Sequence, residues 1–207
     1  MTNEVLSAAE LRARLLRTCQ SIIDSCDLLC QADRDLGDGD HGVTMARAFT
    51  AAKEGLEASA PVSAGADFSM IGSKLMGAGG TAGIVFGTWF STLGRTVADR
   101  ALDAGTLAAG MTAAAQNVQA RGKVVLGEKT MFDALSPAVE ALTAAVGNGA
   151  DAALKQAAVA AKAGVDATRQ MIATKGKAKT LGERSLGFPD PGAISVALIF
   201  EGLSTTA

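Results

Sequence analysis

A chain of 207 residues, 48% of them apolar and 4% aromatic, can bury one good core and is read as a single domain over 1–207. Nineteen Lys plus Arg against twenty-one Asp plus Glu leave a net charge of -2, which excludes a chain-wide basic field for nucleic acid or anionic lipid. The start of the chain mixes charge into its apolar residues and no stretch of roughly 18 apolar residues is free of charge, so a cytoplasmic protein with no membrane partner is expected.

The first element is a long amphipathic helix. Leu11, Leu15, Cys19, Ile22, Cys26 and Leu29 recur at steps of four and three, with Arg12, Arg14, Arg17, Gln20 and Asp24 on other faces. Ser7 and Glu10 have the spacing of a capping box at its start. Cys19, Cys26 and Cys30 share one face, and the chain's one histidine, His41, lies in a different segment. Reduced, packed thiols are therefore expected rather than a metal site.

The next segment, Asp33 to Gly42, places Asp33, Asp35, Asp38 and Asp40 within eight positions. Such carboxylates repel one another, and Gly37, Gly39 and Gly42 let the backbone fold them inward around a cation. A calcium EF-hand does not fit: in a loop begun at Asp33, position 5 is Gly37, position 6 is Asp38 and position 12 is Thr44. Magnesium, which keeps waters and shares its shell with phosphate oxygens, suits a sparse aspartate set better. A solvated acidic turn that caps a helix is the plain alternative. His41-Gly42-Val43-Thr44 then opens a helix marked by Met45, Phe49, Ala52 and Leu56, so free N–H groups face the acidic loop and a polyphosphate could bridge the two.

Helical periodicity places this helix near 43–57 and continues near 68–77, 83–98, 106–120, 131–146, 151–174 and 193–203, with no alternating strand pattern. Eight helices in an antiparallel bundle or barrel are expected. Gly79, Gly83 and Gly87 fall at steps of four, which suits close packing against a neighbouring helix, and Gly79-Gly80-Thr81 suits a turn whose backbone approaches a ligand. Gly127-Glu128-Lys129-Thr130 and Gly182-Glu183-Arg184-Ser185 repeat one order of residue types, with Thr130 and Asp133 spaced as a helix cap. The segment 175–192 carries Lys175, Lys177, Lys179 and Arg184. A loop that long and basic in a helical domain is expected to cover a ligand and to supply cations to developing phosphate charge.

Together these motifs resemble the ADP-binding subunit of dihydroxyacetone kinase, DhaL, also found as the C-terminal domain of ATP-dependent dihydroxyacetone kinases. The marks are Asp33 with GDGDHG at 37–42, GAGGTAG at 77–83, RGK at 121–123, GEKTMFDALSPA at 127–138 and GERSLGFPDPGAIS at 182–195. The resemblance implies an all-α, eight-helix antiparallel barrel with ADP or ATP in loops at one end. It implies that Asp33, Asp38 and Asp40 hold two magnesium ions and, with His41, form the catalytic set. It further implies that His41, Gly42, Val43 and Thr44 meet the phosphates, with Gly80, Thr81 and Ala82 beside them. Gly122, Met131, Lys177, Arg184, Asp190, Pro191 and Gly192 complete the expected nucleotide set. Three departures from the pattern are Ala82 where serine is common, Lys177 where arginine can occur and Phe188 in place of a polar residue.

The implied activity is phosphoryl transfer to dihydroxyacetone or a related short ketose held on a DhaK-like partner. Rephosphorylation of bound ADP by a DhaM-like phosphocarrier and exchange of free ATP both fit, and a homodimer is a further option. A fatty-acid-kinase relative and a nucleotide-loaded regulator that docks on a transcription factor are the alternatives.

Overall fold

Ser7 and Glu10 close a reciprocal cap: the Ser7 hydroxyl accepts from the Glu10 N–H at 3.2 Å and the Glu10 carboxylate accepts from the Ser7 N–H at 2.9 Å. From this start the computed structural model describes residues 5–206. The described residues form α1 (Ala8–Asp24), α2 (Cys26–Arg34), α3 (His41–Glu57), α4 (Ala64–Gly77), α5 (Gly80–Val97), α6 (Ala104–Gly122), α7 (Phe132–Ala144), α8 (Ala150–Thr168) and α9 (Pro191–Ser204). Two 3₁₀ segments, Val146–Asn148 and Lys177–Ser185, lie in the connections. The described residues contain no β-strand, only one antiparallel bridge between Leu6 and Leu102.

The first expected helix is divided. Its periodicity runs on past Ser25, but the chain turns there, at φ -87 and ψ 10, and α2 sets off separately. The cause lies in the helix that crosses it. A side chain at Gly42, in the first turn of α3, would collide with the Cys26 carbonyl and with Cys30, so the two backbones touch. Counting α1 and α2 as one broken stave, helices packed in succession close a ring of eight: α1 on α3, then α4, α5, α6, α7, α8 and α9, which returns to α1. The all-helical barrel expected from the sequence is the fold observed.

The interior is filled from α5, buried on almost every face from Phe86 to Gly94. Trp89 stacks obliquely with Phe86, Phe90 and Phe200 at centroid distances of 6.1, 5.5 and 5.6 Å, and Phe90 reaches Phe49 and Phe68. Few rings suffice because α4 and α5 approach so closely. Side chains added at Gly72, Gly83, Gly87 or Gly94 would meet backbone atoms of the facing helix or of the α4–α5 turn. The expectation for Gly83 and Gly87 is thus met as packing, while Gly79 and Gly80 have open space and positive φ, as a turn requires.

Successive staves alternate in direction, which gathers the C-termini of α2, α4, α6 and α8 and the N-termini of α3, α5, α7 and α9 at one end. The motifs singled out from the sequence fall at this end.

Candidate functional site

A cavity of about 390 Å³ opens at that end. It is lined by Asp33 from α2, Asp40 just before α3 with His41 and Thr44 from α3, Gly80, Thr81 and Ala82 from α5, Gly122 from α6, and Met131 from the start of α7. Lys177 follows from the connection after α8, and Asp190, Pro191 and Gly192 from α9. Val85, Phe86 and Val118 form an apolar lining.

Three helices, α3, α5 and α9, aim their N-termini at the cavity, and two of them lack a side-chain cap. Neither the α3 cap residue, Asp40, nor the α5 cap residue, Gly79, makes a side-chain cap. Among the described residues the N–H groups of Gly42 and Val43, of Gly80, Thr81 and Ala82, and of Gly192 have no hydrogen-bond partner. Free N–H groups and the positive ends of three helix dipoles make this an anion site, suited to a polyphosphate.

Beside it stand the carboxylates. One oxygen from each of Asp33, Asp38 and Asp40 lies within 4.8 Å of the others. Asp33 is buried, its carboxylate accepting the His41 N–H at 3.1 Å, which ties the acidic loop to the first turn of α3. Asp38 and Asp40 are exposed, and the ammonium of Lys177 bridges them, in close contact with Asp38 and 3.4 Å from Asp40. Its hydrogen bond holds the Asp38 carboxyl below the usual carboxylate range, and the same contact raises the Lys177 ammonium. A cation thus already sits on two of the three carboxylates. The set fits a hard divalent ion in donor type and in spacing.

His41 is held at the edge of the aromatic column, 6.4 Å from the Phe86 ring, with Nε2 2.9 Å from the Ser195 hydroxyl. Burial lowers its pKa, against the opposing pull of Asp33 and Asp40. Ser195 in turn donates to the Pro191 carbonyl at 3.2 Å, so its lone pair is left for an Nε2 proton. The residue-type reading passed over this serine.

Some expected residues stand elsewhere. Asp38 faces an adjoining groove shared with Lys177 and Thr180. Gly42 is packed on α2, and the Val43 side chain is 58% exposed, so only their backbone groups can serve an anion. Arg184 is exposed and outside the cavity lining; the cation brought there from the same motif pair is Lys129.

Lys129 is shut off from solvent at 2% exposure and stands at the cavity wall. Burial lowers its pKa, and its ammonium donates to the carbonyls of Thr168 and Phe188, both at 2.6 Å. Thr130 does act at the start of α7, its hydroxyl accepting from the Phe132 N–H at 3.2 Å, while the Asp133 carboxylate accepts from the N–H groups of Gly127 and Thr130. Asp190 caps α9 by accepting from the Ala193 N–H. The residue as a whole is half-buried, but its carboxyl is enclosed by protein, and burial pushes it up to about 7.

Comparison with known proteins gives the family. The DAK2 domain family matches residues 35–205. A PEP-dependent dihydroxyacetone kinase ADP-binding subunit DhaL from Listeria innocua is 34% identical over 190 residues, covering 90% of both chains. The corresponding Escherichia coli subunit is 36% identical over 197 residues, covering 93% of this chain and 94% of its own. An L-erythrulose kinase from Pectobacterium atrosepticum is 35% identical over 96% of this chain, which spans 35% of that larger protein. In structure, the dihydroxyacetone kinase from C. freundii, solved with AMP-PNP and Mg²⁺, superposes with a TM-score of 0.76 at 26% identity, over 97% of this chain and 34% of that one. With one family matching residues 35–205, and with relatives of its own length, this chain belongs to the DAK2 domain family.

Proposed function

We propose that this chain is the nucleotide-binding, phosphoryl-transferring subunit of a dihydroxyacetone-type kinase, a single domain that presents Mg-bound ADP or ATP to a short ketose on a DhaK-like partner. The observation that carries the reading is the juxtaposition of three carboxylates within 4.8 Å of one another with three helix N-termini, two of them uncapped, at the cavity and its adjoining groove. Metal-type oxygens and unpaired N–H groups side by side answer the two needs of a polyphosphate: cations on its oxygens and donors in a fixed fork. The names of the relatives, ADP-binding subunits and ketose kinases, support the same class.

Asp33, Asp38 and Asp40 would hold two magnesium ions, which when bound neutralise phosphate oxygens. The N–H groups at 42–43 and 80–82 then orient the phosphate chain, since phosphoryl transfer needs positioning and charge stabilisation more than covalent help. Lys177, exposed and paired with the carboxylates, exchanges that pairing for phosphate oxygens once divalent ions take its place. Met131, buried at the cavity wall, offers a soft apolar floor to the base. A DhaM-like phosphocarrier as donor is supported by the PEP- and PTS-dependent names among the relatives.

Titration calorimetry with ADP and Mg²⁺ tests the reading. Asp38→Ala should weaken Mg-dependent ADP binding by at least on the order of 100-fold, since outer-shell partners alone are worth 10–100-fold. Unchanged affinity would remove the metal assignment. Ketose phosphorylation with the sugar-binding partner, driven by ATP or by the phosphocarrier, then identifies the donor.

A further inference from the structure

The connection from α8 to α9 is long, and both of its ends are tied to one short segment, 127–131. At its leading side the Thr174 N–H donates to the Glu128 carbonyl at 3.3 Å, and the Lys175 ammonium lies 3.8 Å from the Glu128 carboxylate. At its closing side Lys129 reaches from a backbone with positive φ to two carbonyls, one on the last residue of α8 and one on Phe188. The same neck is laced by the Gly187 N–H to the Arg169 carbonyl at 2.8 Å and the Asp190 N–H to the Thr168 hydroxyl at 2.9 Å. Between these ties the loop carries Lys177 to the carboxylates, and beyond them it delivers Asp190, Pro191 and Gly192 to the cavity.

We infer that Lys129 is a positioning residue for the nucleotide site, its ammonium clamping the neck of the 169–189 loop so that Lys177 and the Asp190–Gly192 turn are held in place before ligand arrives. Lysine is almost never fully buried without partners, and an ordinary structural position in a helical core is filled by an apolar residue. Here the ammonium spans the negative end of α8, at the Thr168 carbonyl that also accepts the Met171 N–H at 3.2 Å, and a carbonyl two residues before Asp190. Charge-assisted bonds to both sides of a loop neck oppose its opening. Glu128 and Lys129 together explain why glycine, acid, base and hydroxyl occur in that order at 127–130: the acid and the base grip the two ends of one loop.

This inference rests on the nucleotide reading for its consequence, but its mechanical part can be tested without nucleotide. Hydrogen exchange of the ligand-free protein should show the Gly187 and Asp190 amides of Lys129→Met exchanging faster by on the order of tenfold, the effect of losing a charge-assisted tie. Amides of the α4–α5 pair should be unmoved. The affinity for Mg-ADP should fall on the order of tenfold, with a much smaller change in turnover at saturating nucleotide, because the loss is in preorganisation. Lys129→Gln, which keeps an N–H donor, should lie between, and carries the comparison if the methionine variant does not fold. Equal exchange at Gly187 and Asp190 in variant and wild type would overturn the clamp, as would acceleration spread uniformly through the barrel. Faster exchange at the neck in a protein whose wild type binds no nucleotide would instead retain the clamp and overturn the function proposed above.

Discussion

Asp190 shows how a single side chain couples the site to solvent conditions. Its folded pKa, about 7, lies above the ordinary value of 3.8, so between those values the native state holds a proton that the unfolded chain has released. Stability from this group is therefore complete below about 3.8 and is lost as pH rises towards 7, beyond which the loss is constant. Asn is an equally good helix cap and can accept the Ala193 N–H, so Asp190→Asn should keep α9 while removing the slope. Thermal unfolding of metal-free protein between pH 4.5 and 7.5 checks this: the gap in melting temperature between variant and wild type should widen in the variant's favour as pH rises. A constant gap would mean that the carboxyl titrates normally. Such behaviour was not legible in the sequence, where Asp190 is one acid before Pro-Gly. Asp33, Asp38 and Asp40 were legible because their density is local, whereas Lys129 and Ser195 matter through partners 39 to 154 residues away.

Helices reveal the same division between local and distant causes. Helix existence followed from periodicity, and the starts near Ser7 and His41 from local chemistry, but the break at Ser25 did not, because what enforces it is the backbone of α3 pressed on Cys26. The expected helix over 151–174 ends instead at Thr168, where the hydrogen bonds of the following loop take over. The glycines of α4 and α5 looked alike in sequence and differ in place. At Gly72 a methyl group would sit 2.5 Å from the Ser91 nitrogen, a backbone atom that cannot give way, whereas at Gly77 it would meet nothing within 4 Å. Gly72→Ala should destabilise the protein by about 2 kcal/mol through overpacking. Gly77→Ala, on the same helix, should be neutral or stabilising by up to about 0.5–1 kcal/mol from helix propensity. Urea titrations of the two variants decide the matter, and equal effects would mean that α4 and α5 are not in backbone contact.

Across the barrel as a whole, binding and holding together are assigned to opposite ends. Arg12 of α1 lies at the end away from the cavity, its Nε 3.0 Å from the Asp67 carboxylate in the first turn of α4 and its Nη1 3.2 Å from the Leu56 carbonyl near the end of α3. Both groups are buried, so three staves are fastened by one guanidinium. Asp67→Asn strands that charge, and breaking a buried pair in this way costs about 3 kcal/mol or more. A domain of this size has a stability of roughly 5–15 kcal/mol, so the variant stays mostly folded at 25 °C. The site itself begins one helix length away, about 20 Å along α4, on a rigid rod whose other end is packed backbone to backbone against α5. The variant should therefore unfold at markedly lower urea while its affinity for Mg-ADP, measured on the folded protein, changes by less than about twofold, as expected for sites without shared partners. A parallel loss of affinity would show that the far end sets the geometry of the three N-termini, and the two ends would then have to be treated as one cooperative unit.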